Sequence, residues 1–146
     1  MYHWCANSIK IYGKKKQIQK IFDELNLREG KEIFTIFIHP DNFKDPHNPY
    51  LQNVNALKWN MNEDGSLSID FITHNGPSSG LATLLHQEGF HVEIDYHEAG
   101  SCLVGKITNT VEKLYDYTQV MSLEELYKKV PKSLIEKWNL ADIYKS

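Results

Sequence analysis

The sequence predicts an α+β fold: a ferredoxin-like split β-α-β with an antiparallel sheet, an added strand and a C-terminal helical tail. Two observations predict it. Apolar residues recur at period 2 and then at helical spacing in the order β-α-β, long connection, β-α-β-β. From Ser122 onward only helical spacing returns. A chain of 146 residues suits one domain able to bury a real core. With 41% apolar and 24% charged residues, its composition is that of an ordered chain. The reading divides the chain into a ferredoxin-like α+β domain, 1–112, and a helical extension, 113–146, packed on the same domain.

In the first strand, WCANSIKIY, Ile9 and Ile11 alternate with Ser8, Lys10 and Tyr12, and Gly13 ends it. KKKQIQKIFDELNL then places Ile18, Ile21, Phe22 and Leu25 on one helix face, with Gly30 as a stop signal. EIFTIFIH reads as a second strand because it is dense in β-branched and aromatic residues and Pro40 closes it. HPDNFKDPHNPYLQNVN is a long polar connection with three prolines. Beyond ALKWN and the turn NEDG, SLSIDFITH sends Leu67, Ile69 and Phe71 to one side and Ser66, Ser68 and Asp70 to the other. NGPSS leads into the helix GLATLLHQEG, with Ser78 or Ser79 able to cap it. HVEIDYHE and SCLVGKIT are strands around the turn EAGS. SLEELYKKV and PKSLIEKWNL are helices, the second beginning at Pro131.

Charge is uneven along a chain of net charge -3. Residues 1–31 carry seven Lys and Arg against three carboxylates, and residues 32–112 carry three Lys against eleven. A cationic footprint is therefore not a property of the whole chain. No apolar run approaches the ~18 residues that span a bilayer, and the N-terminus lacks signal-peptide order, so the expected location is cytoplasmic. Cys5 and Cys102 are too few for a disulfide framework or an iron–sulfur cluster and are expected as free, buried thiols. Trp4, Trp59 and Trp138 read as packing anchors.

Four possible metal ligands, His91, Glu93, Asp95 and His97, alternate along HVEIDYHE. At roughly 3.3 Å per residue the two histidines lie about 20 Å apart, too far to share an ion. The stripe reads as a polar strand face, and neither a metal nor another cofactor is expected. No nucleophile elbow, zinc motif, phosphate loop or dinucleotide fingerprint is present, so no catalytic residue is assigned. The expected partner-binding set is Asp70, Glu93, Asp95, His97 and Glu98, a cluster of like charge with only Lys10 as a basic neighbour. A nucleic-acid module using Lys14, Lys15, Lys16 and Lys20 is the alternative. The third reading is a metal-dependent enzyme around His74, His97 and Glu98.

WCANSIKIYG, KWNMNEDGSLSIDFITHNGPSSGLATLL and YHEAGSCLVG together resemble the YubB ferredoxin-like domain family, small proteins of plasmids, phages and genomic islands. Trp4, Cys5 and Asn7 match its opening Trp-Cys-x-Asn strand, and Lys58 and Trp59 match its Trp-bearing approach to a strand. Thr73 and Pro77 keep part of its Thr-x-Trp-x-Pro-Pro turn, where Asn75 and Ser78 depart from it. Tyr96, Glu98 and Gly100 match its Tyr-x-Glu-x-Gly turn. The resemblance covers roughly residues 2–108. It implies a ferredoxin-like fold without an iron–sulfur centre and no established enzymatic activity. The function expected from it is a non-enzymatic accessory protein of a mobile element that binds a host or element protein, for instance an inhibitor of a defence complex such as CRISPR-Cas.

Overall fold

Alternation decides which side of each strand is buried, and the computed structural model, which describes residues 4–37, 54–74 and 76–144, brings those sides together. Its strands are β1 (Trp4–Tyr12), β2 (Ala56–Met61), β3 (Leu67–His74), β4 (His91–Glu98), β5 (Leu103–Thr108) and β6 (Val111–Asp116). They form one antiparallel sheet in the order β2-β3-β1-β4-β5-β6. Helices α1 (Lys15–Leu27) and α3 (Ser79–Gln87) bury Ile18, Ile21 and Leu25, and Leu81, Ala82 and Leu85. These meet Cys5, Ile9, Ile11, Leu67, Ile69, Phe71, Val92, Ile94 and Tyr96 in the main core.

Over its described residues, the segment read as a second strand is not one. Phe34–Phe37 form a short helix, α2, after Glu32 takes a positive φ of 48°. Ile33 and Phe34 are both fully buried, and Phe34 packs edge-on against Phe71 at 5.6 Å. A strand sends neighbours to opposite faces, so burying two in sequence on one core needs a helical turn. Residues 38 and 39 of that reading, and most of the long connection, lie outside the described residues. The strand position is taken by β2, where Trp59 donates its indole N–H to Asn26 Oδ1 at 2.9 Å and lies over Gly30. A Cβ at Gly30, where φ is +74°, would sit 2.5 Å from that ring.

The extension expected to be helical from 113 begins as β6, the outer strand of the sheet. The chain then forms α4 (Leu123–Lys129) and α5 (Lys132–Lys137), with Ser122 Oγ accepting the Glu125 N–H as an N-cap. These helices pack on the side of the sheet away from α1 and α3. Val104, Tyr117, Val120, Leu126, Val130, Leu134, Ile135 and Leu140 make a second, smaller core there. Both cysteines are free thiols. Cys5 belongs to the main core and Cys102 packs against the second, so the sheet separates them.

Candidate functional site

Over β2, β3, β1 and part of β4, the sheet face opposite α1 and α3 is uncovered. Strand register arranges its residues in rows: Lys58, Asp70, Ser8, Asp95, Lys106, Lys113 in one and Asn60, Ser68, Lys10, Glu93, Thr108, Val111 in the next. A third row runs Ile72, Ala6, His97, Val104, Tyr115. Asp70, Glu93, Asp95 and His97 thus share one surface. Glu98 does not: it follows Val92, Ile94 and Tyr96 in phase and is buried on the helix-covered side. Its assignment to the stripe is corrected by the period-2 rule itself.

The acidic residues also have cations that the linear sequence concealed. Lys58 stands opposite Asp70 in the register. Lys106 Nζ lies 3.8 Å from Asp95 Oδ1, His91 Nε2 lies 3.5 Å from Glu93 Oε1, and Lys10 Nζ lies 3.8 Å from Asp64 Oδ2. Burial raises the Asp95 pKa, while Lys106 and Lys137 pull it the other way. With Lys10, Lys58, Lys106 and Lys113 from the strands and Lys137 from α5, lysines outnumber the three carboxylates. A self-repelling acidic patch seeking a cationic partner is not what the fold builds.

The same face carries an apolar strip. Leu57 at the β2 bulge is 66% exposed, Ile72 is 38% and Trp4 is 59%. Trp4 is therefore no buried anchor; its ring lies 3.8 Å from that of His74. Leu57, Ile72, Ala6, Ser8 and Asp70 line a groove of about 330 Å³ whose other wall is Lys137 and Trp138 of the α5 end. The Trp138 indole nitrogen is buried and, among the described residues, has no hydrogen-bond partner. The groove exists because β6 turns the chain back so that α4 and α5 close over Val104 and Tyr115 but stop short of β1 and β3. One signal for it was in the sequence: after Ser68 and Asp70, Ile72 breaks the polar pattern of its strand face.

Asn7 has a role that strand alternation alone does not announce. Buried in the sheet, its Nδ2 donates to Thr73 Oγ1 at 2.8 Å and to the Cys5 carbonyl at 3.1 Å. Its Oδ1 accepts from the Ser78 N–H at 3.1 Å and from the Ser78 hydroxyl at 3.2 Å. Thr73 in turn donates to the Gly76 carbonyl at 2.7 Å. Ser78 therefore spends its hydroxyl on Asn7 and makes no side-chain cap to α3. The Trp-Cys-x-Asn strand and the Thr73–Ser78 turn are two halves of one buried hydrogen-bond network.

Acid–base chemistry has little to work with. Burial, with the Glu98 charge adding, pushes the Cys5 thiol up to about 12, so it stays protonated at neutral pH. His74 and His97 lie on the uncovered face and Glu98 on the other, so the three do not converge. Among the described residues no three of His, Cys, Asp and Glu are placed to hold a metal ion. Lys14, Lys15, Lys16 and Lys20 are exposed at the start of α1 and along it, on the far side of the sheet from the groove, with Asp23 and Glu24 beside them. Among the described residues no helix is long and apolar enough to cross a membrane. No family model, curated protein or solved structure matches this sequence.

Proposed function

We propose that this chain is a non-enzymatic binding protein that docks a partner protein on its uncovered sheet face, with an apolar side chain of the partner seated in the groove beside Trp138. The carrying observation is the convergence of exposed Leu57 and Ile72 with Trp138 on one groove, since clustered exposed apolar surface marks interaction sites. Because lysines outnumber carboxylates around it, the fitting segment has acidic residues flanking its apolar anchor. The order β2-β3-β1-β4, with helices between β1 and β2 and between β3 and β4, supports a ferredoxin-like reading with β5 and β6 as additions. The resemblance carried by Trp4, Cys5, Asn7, Thr73 and Pro77 supports an accessory role in a mobile element, in the cytoplasm, with a defence complex such as CRISPR-Cas as the partner.

Affinity capture from a bacterial host, read by quantitative mass spectrometry, tests this. Wild type and a quadruple variant of Lys14, Lys15, Lys16 and Lys20 to Glu should enrich the same protein, and Ile72→Glu should lose it while keeping its circular dichroism spectrum. Retention by Ile72→Glu, or loss after nuclease treatment together with a steep salt dependence, would move the function to the lysines and nucleic acid.

A further inference from the structure

His97 sits where the C-terminal helices meet the sheet. Its Nε2 is 2.7 Å from the Tyr117 hydroxyl, and its ring centroid is 5.8 Å from that of Trp138 and 6.0 Å from that of Tyr117. Ala6 and Val104 flank it in the register and carry no charge. We propose that His97 is a proton-sensitive latch that holds α4 and α5 on the sheet.

A neutral imidazole can lie beside two aromatic rings and keep one hydrogen bond, whereas an imidazolium there gives up hydration as the helices cover it. Burial accordingly lowers the His97 pKa below the ordinary 6.5. The sign follows: the undocked state binds the proton more readily, so docking is fully supported above 6.5 and weakens as pH falls through that value toward the docked one. Other titratable and charged groups also face this junction. Burial raises the pKa of Asp95, two residues away on the same strand, so its protonation favours docking, the opposite sense to His97. Lys106 and Lys137 act on Asp95. Burial pushes Tyr117 up to about 12 and also raises Tyr144, so both remain protonated in acid. Tyr115 and Cys102 complete the sheet side, and Glu125 of α4 acts on Tyr144 rather than on His97. Lys137 and Trp138 wall the groove, so releasing α5 dismantles it. That consequence rests on the binding role proposed above; the latch is measured without any partner.

Hydrogen exchange by mass spectrometry on the full chain at pH 7.5 and 5.5, corrected for intrinsic rates, reads it directly. Amides of 122–144 should lose protection at the lower pH, by up to about tenfold for each unit by which docking lowers the histidine pKa. Amides of β1 and β3 should hold theirs. His97→Gln, which can still accept from Tyr117, should remove the pH dependence. Protection that is independent of pH, or that falls equally in His97→Gln, overturns the latch. If His97→Gln leaves the helices undocked at both pH values, the ring titration of His97 by NMR in the wild type decides: a midpoint below 6.5 supports it, and one at or above 6.5 overturns it.

Discussion

The two sides of the sheet hold cores of different size and different origin. Among the described residues, the side under α1 and α3 buries twenty in one cluster drawn from β1, β2's approach, β3, β4, β5 and the helices. The opposite side buries eight, of which the sheet strands contribute only Val104. The first core is made by crossovers that tie distant parts of the chain together, so it opens only when the fold does. The second is closed by one contiguous segment, 117–140, and can open alone. The groove belongs to the second side because the small core covers only part of it.

Truncation in each core separates the two most sharply. Phe71→Ala should lower the stability of the whole domain by about 3–5 kcal/mol, seen as a shifted urea midpoint common to every probe. Leu126→Ala should cost about 2–5 kcal/mol but mostly in the C-terminal helices, so exchange in 122–144 accelerates while β1 and β3 stay protected. Loss of protection throughout the sheet in Leu126→Ala would mean that the two cores unfold as one. Asn7→Ala should cost roughly 1–3 kcal/mol by stranding the buried Ser78 N–H and Ser78 hydroxyl. Its effect belongs to the large core and should appear at the β3–α3 turn first. Ser122→Ala, which removes the α4 cap, should cost about 1 kcal/mol and leave the urea midpoint of the large core in place.

Much of this architecture is legible in local patterning. Helices α1, α3, α4 and α5 and strands β1, β3, β4 and β5 all carry one apolar face at the right period, and one buried face is what periodicity reports. The failures have the opposite property. EIFTIFIH has strand composition, yet Ile33 and Phe34 are buried side by side, and composition alone does not distinguish that from alternation. In β6, Val111 and Leu114 are both exposed and lie on opposite faces, so its only strand signal is its pairing with β5. The candidate site was half legible. Alternation put Asp70, Glu93, Asp95 and His97 on one surface, but Lys58, Lys106 and Lys137 come from segments far along the chain.

By itself, then, the sequence determined which strands and helices are two-faced, because hydrophobic period is a local property of a few successive residues. It determined as well that Cys5 and Asn7 point inward on β1, since both lie in phase with Ile9 and Ile11. Only the tertiary structure decided that 56–61 rather than 32–37 fills the sheet, that lysines from three separate segments meet the acidic stripe, and that α5 stops beside Ile72 to leave a groove. Those outcomes depend on strand register and on where a distant helix comes to rest, and both are set by long-range packing that no short window of sequence contains.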